Sequence, residues 1–236
     1  MDIEGMQLLD YRLSIIIPVL NEAGNIQQCL QALQAWRKQG HELIVVDGHS
    51  TDNTVELAKP LCDKLLVSMP GRALQMNTGA ELARGNILLF LHADTRLPEN
   101  AVTEVIKVIK QTGKQWGRFD IRLSSHRPLM FMVGSMMNLR SRLTGIATGD
   151  QAMFVRRDIF HRVQGFPDIA LMEDISLSHK LLRLSRPACI RAKAVTSSRR
   201  WEQNGVLRTI LLMWYLRLAY FLGKSPESLA RIYSRP

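Results

Sequence analysis

Cysteine is scarce in this chain: Cys29, Cys62 and Cys189 stand far apart, with no CxxC pair and no even-numbered set. That excludes a disulfide framework and is expected of reduced, buried thiols in a cytosolic compartment. Acidic residues are also in deficit, 21 against 31 Lys and Arg, for a formal charge of +10. No uncharged run reaches the ~18 residues of a membrane span. The most apolar stretch, Val206–Gly223, is interrupted by Arg208 and Arg217. Met1 to Arg12 carries Asp2, Glu4 and Asp10 and lacks an apolar core, which argues against a secretory signal. No GxGxxG follows the first apolar strand, where PVLNEAGN stands, which argues against a dinucleotide oxidoreductase. Internal repeats and low-complexity segments are missing too.

What is there is ordinary globular material, 46% hydrophobic and 22% charged over 236 residues, enough for one sizeable α/β domain. The basic excess calls for an acidic partner. No nucleic-acid module is recognisable, so nucleic acid is not expected. Arginines 183, 186, 191, 199, 200, 208 and 217 crowd the last quarter beside an apolar helix with Trp214, Tyr215, Tyr220 and Phe221. That pairing fits an interfacial helix on an anionic membrane surface, or a helix packed on the domain or on a second subunit of a homodimer.

From Leu13 to Leu91 short β-branched runs alternate with helical periods, the pattern of a parallel sheet with crossover helices. Strands are expected at Leu13–Pro18, Glu42–Asp47, Asn86–Leu91 and, more weakly, Leu65–Ser68. Ile26, Cys29, Leu30, Leu33 and Trp36 recur at helical spacing. Asp52 or Asn53 can cap a short helix towards Pro60. Arg72–Ala83 reads as a third helix, with Gly85 as its stop. Beyond Asp94 the elements mix: a helix Asn100–Gln111, a strand Gly117–Leu123, a Met-rich helix Leu129–Thr144, a strand Gln151–Arg156, a helix Asp174–Leu184 and a strand Ala188–Val195.

Ligands collect outside the carboxyl ends of parallel strands. Here those ends carry Pro18 to Glu22, Asp47 to Thr54, and His92-Ala93-Asp94. The segments PVLNE, VVDGHSTDNT, GRALQMNTGAELARGN, LFLHAD, GFPDIALMEDISLSHKL and RRW follow one another in the order of family 2 glycosyltransferases, which the chain resembles over about residues 13 to 201. The resemblance implies an α/β fold of GT-A type: a Rossmann-like, mixed but mainly parallel sheet flanked by helices. The chain then divides into an extension (1–12), the transferase domain (13–204) and a C-terminal amphipathic helical segment (205–236).

The resemblance also implies roles. Asp47 would accept hydrogen bonds from the donor nucleoside, with Pro18 and Glu22 lining the same pocket. Arg72 and Asn77 match donor-contacting positions. His92-Ala93-Asp94 resembles the DxD motif, whose last carboxylate holds Mg²⁺ or Mn²⁺ against the diphosphate; His92 in place of the first acid favours Mn²⁺. Asp174 of Glu173-Asp174 would be the catalytic base, with Glu173 positioning the acceptor. A helix N-cap is the alternative for Asp174. Asp150 would bind the transferred sugar. Arg200 would neutralise diphosphate charge and Trp201 would stack on a ring, although Ser197 stands where the related QxxRW motif has glutamine.

These expectations describe an inverting enzyme at the cytoplasmic face of a membrane. It would move a sugar from a nucleoside diphosphate donor, uridine being the family's usual base, to a sugar or lipid-linked acceptor. A donor-binding scaffold without turnover remains the alternative, because of His92.

Overall fold

The computed structural model describes residues 11–233. The expected extension thus lies almost wholly outside the described residues, as do positions 234–236. The apolar runs form β1 (Leu13–Val19), β2 (Glu42–Asp47), β3 (Lys64–Val67) and β4 (Ile87–Phe90), all parallel, with β1 between β2 and β4. β1 and β2 are buried nearly throughout, which is why they read as unbroken apolar runs rather than alternating ones. Successive side chains still face opposite sides. Ile15 and Ile17 join a core with Ile26, Leu30, Val105 and Ile109, whereas Ile16 joins another with Met76, Ala80, Phe160 and Leu177.

The remaining strands are β5 (Thr95–Arg96), β6 (Trp116–Leu123), β7 (Phe154–Arg156) and β8 (Ala188–Thr196). The sheet order is β3-β2-β1-β4-β7-β6-β8-β5. β7 runs antiparallel to both β4 and β6, β5 antiparallel to β8, and β6 parallel to β8. This is the mixed, mainly parallel sheet of the expected fold class.

Several boundaries differ from the sequence reading for local reasons. The helical period Ile26–Trp36 is two helices, Ile26–Ala32 and Gln34–Lys38, and Gln34 Nε2 bonds the Leu30 and Leu61 carbonyls beside the break. The helix Arg72–Glu81 closes at Leu82, not at Gly85. Gly85 lies against β1 instead: a Cβ there would come within 2.6 Å of Arg12 O and Ser14 N. The strand expected from Gln151 begins only at Phe154, because Gly149–Gln151 form a 3₁₀ turn closed by a Thr148–Gln151 capping box, and Ala152 takes φ 45°. The N-cap of the helix Thr54–Ala58 is Asn53, whose side chain makes no capping bond; Asp52, one residue earlier, accepts from the Thr54 N–H at 3.0 Å.

The helix Pro128–Thr144 is clamped to β6 by Asn138, whose side chain bonds both Ile121 N and O. The fully buried Arg118 pairs with Asp120, which also binds Arg142 at 2.6 Å. At the C-terminus three helices follow one another: Arg199–Asn204, Val206–Phe221 and Pro226–Tyr233. Leu216, Ala219 and Leu229 pack on Ile146, Met172 and Ile175 of the main body. The outer side of Val206–Phe221 is apolar as well, with Leu207, Trp214 and Phe221 at 73, 59 and 84% exposure. That helix therefore does not divide into one apolar and one charged face, as an amphipathic helix would. No helix among the described residues is long and apolar enough to cross a membrane.

Candidate active site

The carboxyl ends of β1, β2 and β4 share one edge of the sheet. Asp47, last in β2, is buried; its Oδ2 accepts from Ser50 N at 3.0 Å, while Oδ1 is buried without a partner. An orphaned buried carboxylate oxygen is costly unless something outside the chain fills it. Beside it Gln75, which the sequence reading missed, donates Nε2 to both Val19 O and Val46 O at 2.8 Å and ties the ends of β1 and β2 together. Pro18 sits near the end of β1, past the last residue paired with β4. Glu22 accepts from Asn25 Nδ2 at 2.7 Å.

Because β7 runs against β4, its start lies beside the end of β4, and Gly149-Asp150 meet His92 there. The approach is close enough that a Cβ on Gly149 would sit 2.5 Å from the His92 ring. Asp150 Oδ1 lies 3.6 Å from His92 Nδ1. Burial works to raise the Asp150 carboxyl, but His92, then Arg72 and Arg200, outweigh it and hold the group below its usual range.

A cavity of about 380 Å³ opens here, and Arg72, His92, Asp150, Glu173, Asp174, Arg200 and Trp201 line it. Seven of the expected residues, scattered over 130 positions, thus line one cavity. The helix Glu173–Leu182 enters from Met172, a non-glycine residue at φ 72°, so the turn is a strained one. Asp174 is in the first turn of that helix, not at its N-cap. Its Oδ2 accepts from Gly149 N at 2.9 Å and its Oδ1 from Ile175 N at 2.7 Å, which fixes the carboxylate at the cavity wall. Glu173 is buried, and burial, then the Asp174 charge, push its carboxyl above the usual range. The Arg200 guanidinium stacks 3.7 Å from the ring centre of Tyr233, so the C-terminal helix orients it.

Asp47, Asp94, Pro18, Glu22 and Asn77 do not line this cavity. The first four lie along the strand ends on the same edge of the sheet. Asn77 departs further from expectation: its Nδ2 donates to Phe166 O at 2.9 Å and its Oδ1 accepts from Phe166 N at 3.0 Å. Both amide atoms are thereby used in holding the Gly165-Phe166 turn, which is a structural task. Arg140, absent from the sequence reading, and Arg217, named there only as a charge interrupting an apolar helix, reach the cavity from the helices Pro128–Thr144 and Val206–Phe221. The apolar patterns of those helices hid them.

Residues 14–163 match the model of the family described as glycosyl transferase family 2. The chain belongs to that family. A stretch of 170 residues is 31% identical to the glycosyltransferase AglE of Haloferax volcanii, covering 66% of this chain and 56% of that protein. A shorter stretch of 93 residues is 40% identical to a PGL/p-HBAD biosynthesis glycosyltransferase of Mycobacterium bovis, covering 36% of each. This family 2 chain thus spans little more than half of the first relative's length. Its fold is shared with a mannosyltransferase from Pyrobaculum calidifontis solved in complex with GDP-Man and Mn²⁺ (TM-score 0.66, 22% identity, 94% of this chain and 68% of that one). It is also shared with S. aureus TarS 1-349 in complex with UDP-GlcNAc (TM-score 0.65, 20% identity, 79% and 58%). The family match stops before Glu173-Asp174, so more than half of the residues lining the cavity lie beyond it.

Among the described residues no three His, Cys, Asp or Glu side chains could hold a metal ion by themselves. That donor set does not fit a cation caged by this family 2 protein alone. A hard cation that takes most of its oxygens from phosphates needs fewer protein ligands than such a cage.

Proposed function

We propose that the chain transfers a sugar from a nucleoside diphosphate sugar to an acceptor hydroxyl with inversion at the anomeric carbon. The observation that carries this reading is the Asp174 carboxylate, fixed by two backbone N–H groups on a cavity wall shared with Arg72, Asp150 and Arg200. Asp174 takes the proton from the acceptor hydroxyl as its oxygen attacks the anomeric carbon. The bond from that carbon to the diphosphate oxygen breaks, and Arg72 and Arg200 offset the charge that develops on the leaving group. Asp150 binds the sugar. Glu173, whose carboxyl burial and then the Asp174 charge push above its usual range, positions the acceptor. Asp47 offers its unpartnered oxygen to the nucleoside, with a uridine diphosphate as the first donor to try. A divalent cation, Mn²⁺ or Mg²⁺, would be held by Asp94 and would supply positive charge at the diphosphate.

The exposed apolar residues of Val206–Phe221, next to the cavity, support a lipid-linked acceptor and peripheral contact with an anionic membrane at its cytoplasmic face. Sedimentation with phosphatidylglycerol vesicles tests the contact, and Trp214→Ser with Phe221→Ser should release the protein. Full binding by that double variant would remove the helix as the anchor. A second reading, a donor-binding scaffold without turnover, is favoured by one observation: the 3.6 Å approach of His92 Nδ1 to Asp150 Oδ1, which engages the residue standing in place of the first acid. Calorimetry with UDP, with and without Mn²⁺, and a nucleotide-release assay separate the two. Metal-dependent binding with turnover supports transfer. Tight metal-independent binding without turnover supports the scaffold.

A further inference from the structure

The cavity holds more positive charge than its donor role requires. Four arginines line it, and they fall into two pairs. Arg72 and Arg200 act on each other and on Asp150, at the His92 end. Arg140 and Arg217 have Asp174 and Asp150 as their carboxylate neighbours, and Arg140 also feels the like charge of Arg217. The first pair is accounted for by the diphosphate. The second has no assigned task.

Arg140 is the more telling of the two. Its Nε and Nη2 are buried without a hydrogen-bond partner. Guanidinium nitrogens taken out of water without a partner cost the fold free energy, which an anion bound against them would offset. Burial, then the like charge of Arg217, push Arg140 down to about 10, so the group is still a cation at neutral pH. Arg217 is likewise lowered by burial, with Asp174 and Asp150 opposing the shift. Asp174 already accepts two backbone N–H bonds and forms no ion pair with either arginine.

Around these cations the wall is apolar. Met136 and Met137 come from one helix, and Met213 and Trp214 from the other. Met136 and Trp214 keep much of their surface open to solvent, so this apolar wall is accessible. An anion with a polar body would leave that wall unused, and a neutral lipid would leave the cations unpaired.

We propose that Arg140 and Arg217 form a second anion site, which takes the acidic group of an acceptor whose apolar remainder lies along the methionine and tryptophan wall. The inference rests on the transferase reading for the word acceptor, but the site itself does not. The acid pairs with the two guanidiniums, displaces the desolvation cost at Arg140, and brings a neighbouring hydroxyl towards Asp174. The chemistry is that of a phosphate or carboxylate on a hydrocarbon chain, and the arms of the test separate a lipid-borne acid from a free one.

The full chain, without nucleotide, is titrated by calorimetry with n-decyl phosphate, n-decyl glucoside and inorganic phosphate, the amphiphiles kept below their micelle concentrations. Decyl phosphate should bind about tenfold or more tightly than either of the others. Arg140→Gln and Arg217→Gln should each remove about tenfold of that affinity and leave decyl glucoside unchanged. Arg140→Lys should keep part of the preference. Equal binding of the two amphiphiles, or an unchanged preference in both glutamine variants, overturns the site. Inorganic phosphate binding as tightly as decyl phosphate overturns the apolar half and points to a free acid. Should Arg140→Gln lower the melting temperature, Arg217→Gln carries the comparison. UDP binding with Mn²⁺ is measured on the same sample. Its failure in the parent chain sinks the transferase reading while leaving the anion preference intact, so the two failures are distinguishable.

Discussion

Replacing Asp174 by asparagine changes one oxygen for an NH₂ group and removes one charge, with almost no change in volume. The structure makes the consequences separable. Both carboxylate oxygens accept a backbone N–H, from Gly149 at 2.9 Å and Ile175 at 2.7 Å. An asparagine can satisfy only one of them, so the other N–H loses its partner, which costs about 1–3 kcal/mol of stability. Loss of a positioned general base lowers turnover by about 10² to 10⁴. Binding of nucleoside diphosphate, carried by other residues, should stay within about threefold of the parent, less than 1 kcal/mol. The assay is release of UDP from a panel of UDP-sugars with Mn²⁺, alongside calorimetry with UDP and a thermal melt. Turnover within threefold of the parent would refute the base assignment. So would equal losses of turnover and UDP affinity, because the carboxylate would then be binding the donor instead.

Gly149→Ala places a methyl 2.5 Å from the His92 ring and should lower turnover by about tenfold or more through displacement of His92 and Asp174, with melting little changed; unaltered turnover would show that the contact is slack. Asn77→Ala breaks both bonds to Phe166 and should destabilise the fold by about 1–3 kcal/mol while UDP affinity holds; lost affinity with normal melting would restore the donor role set aside above. Glu42 is held below its usual range: burial opposes this, and the Arg84 N–H, Lys64 and Ser14 outweigh it. Its contribution is therefore present above the unfolded value of about 4.3 and lost as pH falls through the lower folded value, so Glu42→Gln should flatten the acid limb of melting temperature below about pH 5. An unchanged slope would contradict that assignment. Burial pushes the Cys29 thiol up to about 12, so iodoacetamide at pH 8 should modify it only on unfolding, as mass spectrometry of the digested native protein will show.

In the parallel half of the sheet β1, β2 and β4 were legible because they are buried nearly throughout and carry unbroken apolar runs, whereas the half-buried β3 read more weakly. Burial leaves little freedom in what such residues can be. Where one residue can serve two ends, reading failed. Gly85 looked like a helix stop, but its requirement is set by β1, dozens of residues earlier in the chain. Asn77 sits in a motif, yet its partner is Phe166, whose proximity depends on the whole right half of the fold. Motif order brought out Arg72, His92, Asp150, Asp174 and Arg200 as one constellation. It could not reveal Arg140 and Arg217, since an arginine on an apolar helix reads the same whether it points to solvent or into a cavity. That distinction arises only when the helices Pro128–Thr144 and Val206–Phe221 close over the cleft.

The reversal of β7 against β4 bears on how such a protein can change its substrates. In a wholly parallel sheet every loop at the ligand edge departs from a strand, so each is tied to the helix it must feed. Turning one strand around brings an arriving segment to that edge as well, here residues 145–153. Departing loops and an arriving one then border the same site, so mutation can redraw the arriving segment without disturbing the connections by which the other strands feed their helices.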